Sequence, residues 1–455
     1  MKAIGIDLGT TSICGVLIDA QSGRMLRSIT KANTAAMQNG RSFERIQNPG
    51  AIAATALEII EQLCAEEKEI GVIGITGQMH GILYVDQKGE AVSPLYTWQD
   101  ESGAQNGSTG VSYAEELSGQ TGYAVHTGYG CVTCYSHFMR EEIPHTARGI
   151  CSIGDYLAML LTNTHNPVIH SSNAASLGCY RICDDSFDLT ALAKAGVDTS
   201  FFPQVEGGYR IVGETPRGIK VACAIGDNQA SFLGAVKDMR HSILVNVGTG
   251  SQISLMAAED LRYAGEKIDL RPCVAGKRLL VGASLCGGRA YHLLERFFQS
   301  VLEFSGEITE DALYDKMEKV GFSALREGNR LTVSTKFCGT RQNPAERGRI
   351  LNIGLSNFEA GPMVIGFLEG IAGELLELYQ DTKGKTFSQP AILVGSGNGI
   401  RKNKLLQKIC ENLFDLPMKI PRYQEEAAYG AALYSLVCAG EFQTMEQAQK
   451  GIAYL

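Results

Sequence analysis

The sequence predicts a two-lobed α/β protein, and three observations carry that prediction. Two short glycine turns, Gly5-Ile6-Asp7-Leu8-Gly9-Thr10-Thr11-Ser12 and Asn246-Val247-Gly248-Thr249-Gly250-Ser251, each leave an apolar run and lie about half a chain apart. The chain has 455 residues, more than one hydrophobic core usually supports, so two domains of about 200 to 250 residues each are expected. Between the turns, patterns of helical period alternate with fully apolar strand-like runs, the signature of a layered sheet.

The first half opens with a strand over Ala3 to Asp7. Its glycine turn continues into the alternating run Ile13-Cys14-Gly15-Val16-Leu17-Ile18, which reads as a β-hairpin rather than a strand followed by a helix. A third strand is expected near Met25 to Thr30. Ile52, Ala56, Ile59, Ile60 and Leu63 recur at helical spacing, and Val72-Ile73-Gly74-Ile75-Thr76 reads as a buried strand. From Val92 to about Ser200 the pattern turns irregular, with short helices at Tyr113 to Leu117, Ser136 to Glu142 and Asp155 to Leu161, as in an insertion that builds a pocket. A strand over Val221 to Ile225 then ends in Gly226-Asp227-Asn228-Gln229 and a helix over Ala230 to Val236.

The polar break Lys237-Asp238-Met239-Arg240 places the domain boundary between 237 and 238, giving domains 1–237 and 238–455. The second half repeats the opening scheme: strand Ile243 to Val247, the second glycine turn, strand Gln252 to Leu255, then helices over Gly288 to Leu302 and Pro362 to Tyr379. Ala391-Ile392-Leu393-Val394 runs into Gly395-Ser396-Gly397-Asn398-Gly399, and Asn403 caps a helix through Leu413. The small residues Ala427, Ala428, Gly430, Ala431 and Ala432 suit a helix over Glu425 to Cys438 for close packing against that same sheet.

Composition narrows the partners. A formal net charge of −8 argues against a nucleic-acid or anionic-membrane partner, because no basic stripe neutralises an extended run of phosphates. The N-terminal Met1-Lys2-Ala3-Ile4 enters a strand directly and no run of 18 apolar residues appears, so a cytoplasmic protein is expected, monomer or homodimer. The 13 cysteines lie mostly in apolar segments and read as buried thiols.

Glycine turns rich in Thr and Ser let successive amide N–H groups converge on an anion, so both suit phosphate. Neither is a Walker loop, which must open a helix, and Gly384-Lys385-Thr386 fails that pattern because position 379 is Tyr. Asp7 sits in an apolar strand; a Mg²⁺–phosphate site would offset its burial, and the alternative is a strand-end carboxylate accepting turn amides. Asp227 is the candidate base for proton removal from an alcohol, the alternative being an N-cap for the Ala230 helix. Gln78-Met79-His80-Gly81 follows a buried strand and so emerges at its carboxyl end, where α/β proteins bind ligands. Trp98, the only tryptophan, lies between Gln99-Asp100 and Thr97. Met and Trp surfaces ringed by Gln, His and Asp suit the C–H faces and hydroxyl edges of a polyol; a core Trp and a satisfied His are the alternatives.

Taken together these residues resemble the FGGY carbohydrate kinases, a family of two ribonuclease-H-like domains of the actin/hexokinase/Hsp70 type with an active-site cleft between them. The likeness spans nearly the whole chain. It implies ATP and Mg²⁺ as cofactors and a small-molecule sugar as partner. It implies a phosphate- and ATP-binding set of Asp7, Gly9, Thr10, Thr11, Ser12, Gly248, Thr249, Gly250, Ser251, Gly288, Gly395, Ser396, Gly397, Asn398 and Asn403, with Asp227 as catalytic base. Asp7 and Asp227 would meet the metal through Mg-ATP, while Gln78, Met79, His80, Trp98, Asp100, Asp227 and Asn228 would hold the sugar.

The Gln78-Met79-His80-Gly81 loop is similar to that of the ketose kinases of the xylulokinase and sedoheptulokinase type. Thr97 to Asp100, Gly128 to Thr133, Asn173 to Ser176, Gly226 to Ser231 and Val394 to Gly397 look most like the sedoheptulokinase type. Ser102 stands where such kinases commonly have Arg, and Cys14 where a Lys often follows the first phosphate loop. An Arg there can hydrogen-bond substrate, so its replacement bears on sugar preference. The expected activity is phosphorylation of a terminal hydroxyl of a ketose such as sedoheptulose. A pentulose kinase is the near alternative, and a nucleotide-gated binding protein on the same scaffold the alternative of another class.

Overall fold

Both glycine turns close β-hairpins in the computed structural model, which describes residues 1–38, 40–65, 67, 69–304, 306, 312–328 and 330–455. In the first half β1 (Lys2–Leu8), β2 (Ser12–Asp19) and β3 (Arg24–Ala32) form an antiparallel meander, in register from Lys2↔Asp19 to Leu8↔Ile13 across the first hairpin. β3 alternates exposed and half-buried residues as an outer strand does, whereas β1 is apolar on both faces because helices cover both. Beyond β1 lie, in parallel, β4 (Ile70–Gly77), then the antiparallel pair β5 (Ile211–Glu214) and β6 (Lys220–Ala222), with β7 (Ile225–Gly226) pairing further along β4.

On one face lies α1 (Pro49–Cys64), started by Asn48, whose side chain accepts the Ala51 N–H, and by Pro at the first helical position. Gly15 of β2 lets that helix approach: a Cβ there would fall 2.3 Å from Ile59 Cγ2. The irregular stretch holds α2 (Tyr113–Thr121), α3 (Gly130–Met139) and α4 (Ile153–Thr162). α3 begins six residues before the expected Ser136, because Ser136 does not cap: its hydroxyl bonds back to the Thr133 carbonyl at 2.8 Å inside the helix. α5 (Asp227–Ala235) follows β7 directly.

The second half repeats the scheme with β8 (Ser242–Val247), β9 (Ser251–Met256), β10 (Asp269–Pro272), β11 (Arg278–Ser284), β12 (Ile392–Ser396) and β13 (Met418–Lys419), in sheet order β10-β11-β9-β8-β12-β13. As in the first sheet, the hairpin strand β8 is antiparallel to β9 and parallel to the strand on its other side, β12. Its helices are α6 (Gly288–Phe304), α7 (Tyr314–Glu327), α8 (Ala360–Gln380) and α9 (Lys404–Phe414).

The last long helix, α10 (Glu426–Cys438), corrects an expectation. Its small residues do lie close against a sheet, but against the first one. A Cβ on Gly5 of β1 would stand 1.8 Å from the Ala428 carbonyl oxygen, and one on Gly74 of β4 would stand 1.9 Å from that of Ala431. Gly430 likewise meets the Ala230 carbonyl of α5. Compact units accordingly comprise Met1–Lys237, Arg271–Arg278 and Glu425–Ile452 on one side, and Asp238–Leu270, Leu279–Gln424 and Ala453–Leu455 on the other. None of the 13 cysteines is in a disulfide, nine of them are buried, and among the described residues no helix is long and apolar enough to cross a membrane.

Candidate active site

In the first unit the carboxyl ends of three strands gather Asp7 and the Gly9–Ser12 turn, Gln78 to His80, and Asp227 with Asn228. Asp7 lies opposite Thr76 across β1 and β4, and Gly226 opposite Gly77 across β4 and β7. Asp7 and Asp227 therefore leave the sheet on either side of β4, with backbones about 10 Å apart from the spacing of strands.

The first glycine turn is held by its carbonyls. That of Gly9 accepts Asn33 Nδ2 at 2.9 Å, that of Thr10 accepts Gln47 Nε2 at 3.0 Å, and that of Thr11 accepts the Asn33 N–H at 2.9 Å. Gly9 must lack a side chain, since a Cβ would lie 2.7 Å from the Ser12 carbonyl oxygen. Trp98 donates its indole N–H to Thr10 Oγ1 at 3.1 Å and is 48% exposed, so it is not a core tryptophan but a face beside the turn. Ser12 opens β2, half-buried.

Gln78, Met79 and His80 follow β4. The Gln78 side chain is buried; its Nε2 donates to Gln47 Oε1 at 2.9 Å while its Oε1 has no partner. Met79 lies against Gly226, where a Cβ would fall 2.8 Å from its Sδ. His80 adopts φ 71°, a left-handed conformation fixed by its N–H donating to Ser176 Oγ (3.1 Å) and by stacking on Tyr129 at 4.9 Å. Its Nδ1 lies 2.7 Å from the Ser176 carbonyl, which can only accept, so Nδ1 carries a proton, and in the neutral ring Nε2 is the acceptor nitrogen.

Asp100 is placed differently from expectation. It is fully buried, with Oδ2 accepting the Arg45 N–H (3.2 Å) and Oδ1 the Ser102 N–H (2.9 Å), so its carboxylate braces its own loop. Short polar loops at strand ends read alike in sequence whether their carboxylates point in or out.

The two remaining acids carry raised pKa values. Burial pushes Asp227 up to about 6, against the pull of the Asn228 N–H and of Arg271. Asp227 is the first residue of α5, whose N-cap is Gly226 with no side-chain cap bond, so the capping alternative does not hold. Asn228 follows on the same half-buried turn. Burial first, then the negative charges of Asp227 and Glu425, push Asp7 up to about 7. All three act in one direction, which a carboxylate satisfied by turn amides would not show. Among the described residues no group of three or more His, Cys, Asp or Glu could hold a metal ion.

The second unit contains a cavity of about 700 Å³. Gly248 and Thr249 of the second turn, Gly288 at the start of α6, and Asn398 and Asn403 line it, joined by Arg289, Tyr291 and His292 of α6, Tyr314, Asp315 and Glu318 of α7, and Leu368 and Ile371 of α8. Asn403 also caps α9, accepting the Leu406 N–H at 2.8 Å. The turn carbonyls are again pinned: Gly248 accepts the Gly288 N–H (2.8 Å) and Thr249 those of Gly287 (3.0 Å) and Arg289 (3.1 Å).

Gly250, Ser251, Gly395, Ser396 and Gly397 do not line the cavity. They shape it. Gly250 sits under the Ser284 carbonyl, Gly397 (φ 80°) under that of Val247, and Gly395 against Ile420 and Met418. Ser396 is buried and accepts Asn246 Nδ2 at 3.3 Å; Ser251 is buried too. The α7 residues were not anticipated, although Leu313, Met317, Gly321 and Ala324 carry the helical spacing that would have found them. Tyr314 stacks on Tyr291 at 5.6 Å and its hydroxyl lies 2.9 Å from His292 Nδ1, giving the cavity an aromatic wall.

Comparison with known proteins identifies the family. The pattern of the FGGY family of carbohydrate kinases, N-terminal domain, matches residues 2–244, and that of its C-terminal domain matches residues 244–439. The sedoheptulokinase of Mus musculus is 25% identical over 473 residues, covering 95% of this chain and 97% of that protein. A xylulose kinase of Streptomyces rubiginosus is 27% identical over 246 residues, 51% of this chain and 49% of that one. Gluconate kinase from Lactobacillus acidophilus superposes with a TM-score of 0.85 at 19% identity, over 100% of this chain and 92% of that one, a likeness of fold: two ribonuclease-H-like domains. With both domain patterns matched in order over nearly its whole length, the chain belongs to the FGGY family of carbohydrate kinases, phosphotransferases acting on a sugar.

Proposed function

We propose that the protein transfers the γ-phosphate of ATP to a terminal hydroxyl of a ketose, sedoheptulose first, with Asp227 as the general base. The observation that carries this reading is Asp227 itself: a carboxyl held near pKa 6 at a sheet's carboxyl end, next to Gly226, which packs against Met79, with no N-cap role in α5. A base of that pKa is ionised at neutral pH yet basic enough to take a proton as the hydroxyl attacks.

On this reading the nucleotide occupies the second-unit cavity, its base against the Tyr291–Tyr314 wall and its phosphates at the Gly248–Thr249 turn. The sugar lies over Met79 and the Trp98 face, with Gln78 Oε1 and His80 Nε2 accepting from its hydroxyls and Asn228 beside them. Asp227 removes the hydroxyl proton, the sugar oxygen forms the new P–O bond, and the bond to the β-phosphate oxygen breaks to release ADP. The first turn, Gly9 to Ser12, steadies the transferred phosphoryl group. Mg²⁺ fits the donor set, because it ordinarily keeps waters and phosphate oxygens and takes only one or two carboxylates, and Asp7 and Asp227 are two hard donors whose burial favours a nearby cation. When bound it would neutralise phosphate charge.

Sedoheptulose stands first because the likeness to the Mus musculus sedoheptulokinase covers both proteins almost end to end; xylulose is second, on the half-length likeness to the Streptomyces enzyme. Asp227→Asn tests the assignment. It should lower sugar-dependent ADP release about 10²-fold or more while nucleotide affinity stays within about threefold. A variant as fast as the wild type would remove Asp227 from the chemistry.

A further inference from the structure

Between the two halves of the first-unit site stands a residue that neither half required: Gln47. It is 5% exposed and precedes the N-cap of α1. Its backbone is locked by pairing, with Gln47 opposite Leu95 on one side and Ala36 on the other. Its side chain reaches the phosphate turn through Nε2, 3.0 Å from the Thr10 carbonyl, and the sugar loop through Oε1, 2.9 Å from Gln78 Nε2.

The hydrogen-bond polarity of this chain is determined. A carbonyl oxygen can only accept, so Gln47 must present its amide NH₂ to Thr10. Its remaining oxygen must then accept, so Gln78 must present its own NH₂ to Gln47. What Gln78 has left is its second N–H and its carbonyl oxygen, and that oxygen is buried with no partner. A buried acceptor left unpaired is costly, and a ligand hydroxyl is the group that would relieve it. At the other end the same logic sets the turn. In a planar trans peptide the N–H points opposite to the C=O. With the Gly9 carbonyl drawn to Asn33 and the Thr10 carbonyl to Gln47, the amides of Thr10 and Thr11 face the other way.

We propose that Gln47 is a positioning residue that sets, through one side chain, both which atom Gln78 offers to a sugar hydroxyl and which way the amides of the first phosphate turn face. Sugar and phosphoryl group are thereby aligned by a common brace. The inference rests on the kinase reading and adds to it a residue outside both binding sets.

Two variants separate the halves of the brace. Gln47→Leu keeps volume but loses these two bonds and the longer one that Gln47 Oε1 accepts from Asn33 Nδ2 at 3.5 Å. Gln47→Glu keeps an acceptor for Gln78 while setting an oxygen against the Thr10 carbonyl. Sugar affinity is read without turnover from the fluorescence of Trp98, which touches the turn, and turnover from ADP release. For Gln47→Leu the sugar Kd and KM should rise about fivefold or more and kcat should fall about tenfold or more. For Gln47→Glu the sugar Kd should stay within about twofold while kcat falls about tenfold.

A merely structural role would scale kcat with the folded fraction and leave every KM and Kd alone; that result, or wild-type behaviour in both variants, overturns the inference by itself. No sugar response in the wild type by either readout overturns the kinase reading and this inference with it.

Discussion

Asp7 should make the protein less stable as pH rises, and replacing it should reverse that. The carboxyl ionises at about 7 in the folded chain against an ordinary value of 3.8. Below about pH 4 it is protonated folded or unfolded, and contributes no difference. Between 4 and 7 the folded state holds the proton more tightly than the unfolded chain, so unfolding free energy falls as pH rises; above 7 the penalty is complete. At about 1.36 kcal/mol per tenfold change in acidity, the displacement corresponds to about 4 kcal/mol, and a half-buried side chain partly screened by water keeps about 2 kcal/mol of it. Asp7→Asn, nearly isosteric and neutral, should therefore raise unfolding free energy by about 2 kcal/mol at pH 8 and leave it unchanged at pH 4. Urea unfolding followed by Trp98 emission measures this within the right unit, since the chain has one tryptophan and it bonds to the Thr10 turn. A destabilised variant at pH 8, or a gain equal at both pH values, would refute the reasoning. On the proposed reading Asp7 serves Mg-phosphate, so the stabilised variant should also be a poor enzyme.

Other outcomes follow from the same geometry. The kcat/KM for sugar should rise with pH through about 6, because Asp227 must be ionised to accept a proton, and a steady-state pH profile should lose that limb in Asp227→Asn. Gly226→Ala places a methyl 2.8 Å from Met79 Sδ and 2.6 Å from Gln229 Oε1, so titration of both ligands should show sugar affinity falling about tenfold with nucleotide affinity nearly intact. Gly287→Ala puts a methyl 2.3 Å from the Gly250 carbonyl oxygen, which backbone cannot evade; ATP affinity should drop about tenfold or more while the Trp98 response to sugar is kept.

Legibility in the sequence followed the physics of each element. The hairpins β1–β2 and β8–β9 and the helix α1 were readable because one period, two or 3.6, ran unbroken, and the strand β4 because its run was apolar throughout. The small residues of α10 announced close packing, but smallness does not name a partner, and the helix went to β1 and β4 rather than to the strand Ile392–Ser396 closer to it in sequence. α3 begins behind Tyr129, which offers no side-chain cap, so nothing local marked its start. The two glycine turns and the Gln78 loop were visible as composition; Asp100 looked the same in sequence, and only the structure shows its bonds to the Arg45 and Ser102 amides. Gln47 gave no signal because its role depends on two segments distant in the chain, Thr10 and Gln78, meeting around it.

Sugar-stimulated ADP release is the direct test of the central claim, measured with Mg-ATP over sedoheptulose, xylulose, ribulose, fructose and glycerol, wild type beside Asp227→Ala. A ketose kinase of the kind described should give its highest kcat/KM with sedoheptulose, lower values with the pentuloses, and a loss of about 10²-fold or more in the variant. No stimulation by any of the five, or equal rates with and without Asp227, would contradict it.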